Sequence, residues 1–345
     1  MKYYFILSAL VLVGSCATTK YSTKVKNLEA SVVVHSPKTI TAYSETIKAE
    51  TLKAQLYQFA SSEFKGREVG TEGQKKAAQF LVDFYKAEGL LPAGKDATYL
   101  QNIPKEFLPE KYNASENIVA YIKGSKYPDE TLIISGHFDH LGVENAELYF
   151  GADDNGSGTV AMMEIAQAFK TAERNGVRPK RNILFLHLTA EEIGLQGSYY
   201  YTKNPLFPLD KTIANLNIDM IGRVDERHKN NPNYIYVIGA DRISKELHFI
   251  SEKVNAINTK LELDYKYNAE DDPNHYYSRS DHYNFAQHDI PVIFYFNGEH
   301  PDYHKPTDTA DKINYPLLEK RTKLIFSTAW YLANMDGQLV RNEDI

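Results

Sequence analysis

Gly151-Ala-Asp-Asp-Asn-Gly-Ser-Gly158 sets two adjacent carboxylates, Asp153 and Asp154, in a glycine-rich turn directly ahead of a helical pattern. Ala161, Met162, Ile165, Ala166 and Phe169 recur at helical spacing, so Gly156-Ser157-Gly158 reads as the start of a helix over 157–170. Flanking glycines let the backbone turn tightly and let ligands come close. A carboxylate in such a turn either caps the helix, favoured by its dipole, or binds a metal. The turn alone does not choose between them.

Outward from this turn the pattern alternates. Residues 117–122, 131–135, 182–189, 213–218, 234–238 and 291–296 read as strands, and helices are expected near 197–203, 242–257 and 315–335. Strands of near-continuous apolar character between helices predict an α/β three-layer sandwich: a mixed, mostly parallel sheet with helices on both faces. Upstream, Leu52, Leu56, Phe59 and Ala60 mark one helix. Thr71 with Gln74 looks like the capping box of a second, which Gly89 closes. Arg67, between them, reads as a structural ion-pair partner. The stretch 259–280 is polar, acidic and aromatic and reads as an insertion or lid loop, with Asp271 and Asp272 solvated. No linker divides residues 46–345, which are expected to form one domain.

The 345 residues are 43% hydrophobic and 24% charged, an ordinary globular balance. A net charge of −6, with no basic tract, argues against a nucleic-acid partner. Lys2, the apolar run Phe5 to Val13 and the small residues Gly14-Ser15 have signal-peptide architecture, too short to span a bilayer core of about 30 Å. Val13-Gly-Ser-Cys16 resembles the bacterial lipobox. The expectation is a signal peptide over 1–15, a lipid on Cys16, a polar tether over 16–45 and an exported, lipid-anchored envelope protein. Cys16 is the single cysteine, which rules out an intrachain disulfide.

The strand ends carry the chemistry. Thr131 to Gly136 runs into His137-Phe-Asp139, Asn182 to Ala190 into Glu191-Glu192, and Ile213 to Ile218 into Asp219. Pro291 to Phe296 leads to a loop with His300 and His304. Open α/β sheets bind ligands outside the carboxyl ends of their strands, so these groups and the Asp153 turn share one edge. Two zinc ions carry four positive charges. Three carboxylates, Asp153, Glu192 and Asp219, plus a bridging hydroxide balance them, with His137 and His304 neutral. Nitrogen and oxygen ligands without thiolate suit catalytic zinc, with cobalt or manganese as substitutes. Two ions about 3.5–4 Å apart polarise a carbonyl and generate hydroxide near neutral pH.

His-x-Asp, GADDNGSG, Ala-Glu-Glu, Asn217-Ile-Asp-Met-Ile-Gly-Arg223 and Tyr303-His-Lys-Pro-Thr-Asp-Thr309 together resemble the di-zinc aminopeptidase family. That family includes secreted bacterial leucyl aminopeptidases and, with altered metal sites, glutaminyl cyclases and the transferrin receptor ectodomain. Gly66-Arg67, Gly70-Thr71 and Gly73 fit as well, so the resemblance spans nearly all of residues 60–335. It implies that Asp153 bridges two zinc ions, that His137 and Asp219 complete one site, and that Glu192 and His304 complete the other. Asp139 would hold the His137 imidazole. Glu191 would take the proton from a zinc-bridging water and pass it to the leaving amine of a peptide. Asp154 is expected to support the turn, and His300 is the weaker rival of His304. His187 reads as a core histidine, Ser280-Asp281-His282 as packing around the site, and His140, His275 and the remaining histidines as surface or rim residues. The resulting expectation is an exopeptidase that removes N-terminal residues. Glutaminyl cyclase-like acyl transfer with one zinc, or a non-enzymatic binding lipoprotein, are the alternatives.

Overall fold

Two-sided burial of the strands governs the architecture. In the computed structural model, which describes residues 20–345, the chain opens with helices α1 (Tyr21–Ser31), α2 (Pro37–Ser44), α3 (Ala49–Phe59) and α4 (Glu72–Glu88). Strands β1 (Leu91–Pro92), β2 (Leu100–Ile103), β3 (Ser115–Ile122) and β4 (Tyr127–His137) follow. A short ribbon, β5 (Val143–Glu144) with β6 (Glu147–Leu148), precedes α5 (Gly158–Arg174) and β7 (Arg181–Leu188). Then come α6 (Gln196–Lys203), β8 (Thr212–Ile218), β9 (Tyr234–Ile238), α7 (Lys245–Ile257) and β10 (Glu262–Asp264). The last elements are α8 (His282–Ala286), β11 (Val292–Phe296) and α9 (Tyr315–Asn334).

One sheet runs in the order β1-β3-β7-β4-β8-β11-β9-β10, with β2 added on β3. Its centre, β7-β4-β8-β11, is parallel, so four strands end on one edge. β3 and β9 join the centre antiparallel. In β4, Leu132 and Ile134 pack with Phe169 of α5 and Phe326 of α9. Ile133 turns the other way, with Tyr201 of α6 and Phe285 of α8. Alternate residues of one strand thus feed two cores, which is why the strands read as unbroken apolar runs. At α4, Thr71 accepts from the Gln74 N–H at 3.4 Å, the Gln74 side chain accepts from Gly70 N–H at 3.1 Å, and Gly89 ends the helix at φ 75°.

Two expectations are corrected here. The tether expected over 16–45 is helical from Tyr21 and joins the core from Val32 onward. Val32 and Ile40 are buried, Tyr43 stacks on Trp330 at 5.3 Å, and Asn258 donates to Ser44 Oγ at 2.9 Å. Each fully buried aliphatic side chain is worth about 1.5–3 kcal/mol, enough to dock a segment whose composition looks polar. The stretch 259–280 contains β10, and Asp272 is buried, accepting from the Tyr276 N–H at 3.1 Å. The signal peptide and Cys16 lie outside the described residues. Among the described residues no helix is long and apolar enough to cross a membrane.

Candidate metal centre

The parallel strands deliver their side chains to one edge. His137 closes β4, Glu191 and Glu192 follow β7, Asp219 follows β8, and His304 lies in the loop after β11. The turn before α5 is stitched onto β8 by Asn155. Its amide donates to Ile218 O at 2.7 Å, and its oxygen accepts from Gly158 and Met220 N–H groups, each at 3.1 Å. A Cβ on Gly158 would lie 2.3 Å from that oxygen, so the residue has to be glycine. Ala190, Met220 and His304 sit at φ 60°, 59° and 53°. Such backbone costs on the order of 1–3 kcal/mol and persists where packing over-determines it, typically at functional sites.

Four of the five expected ligands converge, and the fifth is replaced by its neighbour. His137 Nε2 lies 3.2 Å from Asp154 Oδ1 and 3.3 Å from Asp219 Oδ1. His304 Nε2 lies 3.0 Å from Asp154 Oδ2 and 3.1 Å from Glu192 Oε2. Asp154 therefore occupies the central position expected of Asp153. Asp153 turns away: its Oδ1 accepts the Gly222 N–H at 2.7 Å and its Oδ2 faces His300 Nε2 at 3.2 Å. Consecutive side chains in the turn diverge, and docking onto Gly222 fixes which one is spent on structure.

Asp139 also differs in detail. His137 Nδ1 is nearer the Asp139 backbone oxygen, 3.2 Å, than its carboxylate, 3.7 Å. The carboxylate instead accepts the Glu191 and Glu192 N–H groups at 3.2 and 3.4 Å, clamping the turn that carries both glutamates. Arg67 makes no ion pair. Fully buried, it donates to the carbonyls of Phe138, Phe150 and Gly151 at 2.8–2.9 Å and holds the loops behind the site. Burial lowers its pKa to about 10 against the pull of Asp154 and Asp139.

Three further residues belong to the neighbourhood. His140, expected on the rim, is 1% exposed with Nδ1 at 2.8 Å from Glu192 Oε1. His228, also expected at the surface, is buried between Asp225 and Asp264, well away from these ligands in the sequence. Ser280 donates to Asp219 Oδ2 at 2.7 Å and accepts from Asn217 at 2.8 Å. The sequence did carry a signal for His140, since it sits three residues past a ligand at a strand end. His187 is a core histidine, 2.6 Å from the Tyr85 hydroxyl, and burial drives its pKa down to about 3.

The electrostatics ask for cations. Asp154, Glu191, Glu192 and Asp219 crowd three imidazoles, and the buried carboxylates are short of N–H donors. Burial opposes a proton on His137, yet Asp219, Glu191 and Asp154 outweigh it and hold the group well above the usual imidazole range. His304 is likewise lifted to about 10, against burial, by Asp154 and Glu192. A pocket that binds protons this firmly suits divalent metal, and all-N/O donors fit zinc. The donors His137, Asp154 and Asp219 lie within 4.8 Å of one another, as do His140, Asp154 and Glu192. Glu191 has no such bond and faces the cleft, whose other walls include Met220, Tyr276, Phe294, Phe296 and Tyr303. Burial, then Asp219 and Glu192, raise its carboxyl well above the usual range despite His137.

Comparison with known proteins places this arrangement. The family model for peptidase family M28 matches residues 117–329. A probable zinc metalloprotease of Pyricularia oryzae is 29% identical over 266 residues, 66% of this chain and 51% of that protein. Leupeptin-inactivating enzyme 1 of Streptomyces exfoliatus is 30% identical over 294 residues, 84% of this chain and 58% of that protein. This chain thus spans little more than half the length of either relative. The LapA aminopeptidase of Legionella pneumophila shares the fold at a TM-score of 0.69 and 20% identity, over 88% of this chain and 76% of that one.

Proposed function

This chain belongs to peptidase family M28, and from that premise we propose that it is a zinc-dependent aminopeptidase working with a pair of ions. Asp154 carries the reading. One of its oxygens lies 3.2 Å from His137 and the other 3.0 Å from His304, the disposition of a carboxylate shared by two cations. His137 and Asp219 would complete one site, Glu192 and His304 the other. When bound, such a pair polarises a carbonyl and makes water acidic enough to ionise near neutral pH.

Glu191 moves the proton. Its raised pKa brings it into the range where one group can both accept and return a proton. It takes a proton from the water that attacks the scissile carbonyl carbon. It then delivers that proton to the amine nitrogen as the C–N bond breaks. Charge favours the N-terminal end of a peptide. Asp154, Glu191 and Asp219 floor the cleft, while its lining cation, Arg279, is engaged by Glu299 at 3.2 Å. An ammonium group is attracted there and a carboxylate repelled. The walls of Met220, Tyr276, Phe294 and Phe296 suit an apolar or aromatic first side chain.

Purified protein is expected to hold two zinc ions per chain and to cleave aminoacyl chromogenic amides, with activity lost to chelator and restored by zinc. Glu191→Gln should keep the zinc while turnover falls by about 10²–10⁴-fold. Wild-type-like turnover in that variant removes Glu191 from the role. Two ions with no amide cleavage sinks the aminopeptidase reading, and a single ion favours glutaminyl cyclase-like acyl transfer. Export with lipid on Cys16 is a separate proposal, resting on the N-terminal sequence. Palmitate should label wild type and not Cys16→Ser; label on the serine variant removes it.

A further inference from the structure

His140 stands outside the five residues assigned to the ion pair, yet its Nδ1 faces the same carboxylates. It lies 2.8 Å from Glu192 Oε1 and 3.8 Å from Asp154 Oδ2. His304 Nε2 closes the group, 3.0 Å from Asp154 Oδ2 and 3.1 Å from Glu192 Oε2. Two imidazole nitrogens and two carboxylates therefore surround one small volume. Donors about 2.0–2.2 Å from a tetrahedral zinc stand about 3.3–3.6 Å apart. The observed spacings of 2.8–3.8 Å bracket that separation. The geometry that admits His304 as a ligand admits His140 too, and the His140 side chain is the more buried, 0% exposed against 38%. Its ring is fixed in place. A Cβ on Gly151 would come within 2.5 Å of His140 Cγ and Cδ2, so only glycine lets the imidazole pack there.

We propose that His140, through Nδ1, is a fourth protein ligand of the ion held by Asp154, Glu192 and His304. The inference rests on the ion-pair reading above. It makes the two ions unequal, one held by four protein groups and the other by three. The open position that a catalytic site keeps then falls at the His137–Asp219 ion, on the side of Glu191.

Cobalt-loaded full-length protein reads this directly. Each metal-bound histidine contributes one paramagnetically shifted ring N–H signal, and His140 Nε2 is buried with no partner, which protects its proton from exchange. Three such signals are expected in the wild type and two in His140→Asn. The variant should bind its second ion more weakly by more than the about 10–100-fold typical of a lost supporting partner. Asparagine keeps an N–H for Glu192, so a histidine that merely steers Glu192 gives a different result. Two signals in the wild type, or near-normal second-ion affinity in His140→Asn, overturn the proposal. Should the variant not fold, the wild-type count alone decides. Wild type that binds no metal sinks the ion-pair reading itself, which keeps the two failures apart.

Discussion

Around Asp153 and around Asp154 the protein builds two buried carboxylate–histidine clusters that share a peptide bond and differ in what surrounds them. Asp153 receives the Gly222 N–H at 2.7 Å and faces His300 at 3.2 Å. His300 Nδ1 accepts the Asp302 N–H at 3.3 Å, so its Nε2 carries the proton that Asp153 takes. Burial pushes the Asp153 pKa up, but the His300 and Gly222 bonds more than offset it. That carboxylate is locally neutralised. Asp154 has no backbone donor on its side chain, only His137 and His304, which it shares with Asp219 and Glu192. Its cluster keeps surplus negative charge and opens on a cleft. A buried carboxylate with its own donors is structural; one whose donors are divided among several carboxylates is waiting for a cation.

The difference should be largest in the metal content of two isosteric variants. Asp154→Asn is expected to lose both zinc ions and activity by at least about 10³-fold, as a metal site missing its shared ligand should. Asp153→Asn is expected to keep its zinc and lose about 1–3 kcal/mol of stability, the cost of spoiling a buried charged hydrogen bond. Zinc analysis and thermal melts check both. Equal zinc loss in the two would erase the distinction between the clusters.

Smaller effects should follow at the supporting residues. Ser280→Ala frees Asp219 Oδ2 and should weaken zinc binding by about 10–100-fold, measured by competition with a chelator. Unchanged affinity would remove Ser280 from the site. His300→Gln should leave zinc content unchanged and lower the melting temperature; metal loss there would put His300 in the wrong cluster.

The mildest contrast is a histidine buried without any carboxylate. His187 has a folded pKa of about 3, below its ordinary value of 6.5, because of burial. Below pH 6.5 the unfolded chain takes up a proton that the folded chain refuses, so His187 contributes stability that falls as pH drops from 6.5 toward 3. His187→Gln is expected to be less stable at pH 7, through lost packing, with the gap to wild type narrowing by pH 4.5. A gap of constant size in melts across that range would mean that His187 titrates normally.

Much of this was legible along the chain. The parallel centre followed from apolar runs too continuous for one-sided strands, and His137, Glu192, Asp219 and His304 followed from their places beyond those runs. What misled was always a neighbour. Asp153 and Asp154 are the same residue in the same turn, and no local pattern says which one docks onto Gly222. His140 looked like a rim residue because its burial depends on Gly151, distant in sequence. Val32 and Ile40 looked like part of a tether because the surfaces that bury them come from far along the chain.

The sequence by itself determined the layered sheet, the edge where the chemistry gathers and the types of side chain that gather there, because periodicity and strand ends are local properties of the chain. Only the tertiary structure decided that Asp154 stands between the histidines, that Asp153 is spent on Gly222 and His300, and that His140 reaches Glu192. Those outcomes depend on which donors arrive from other strands and loops, and spacing along one segment carries no record of them.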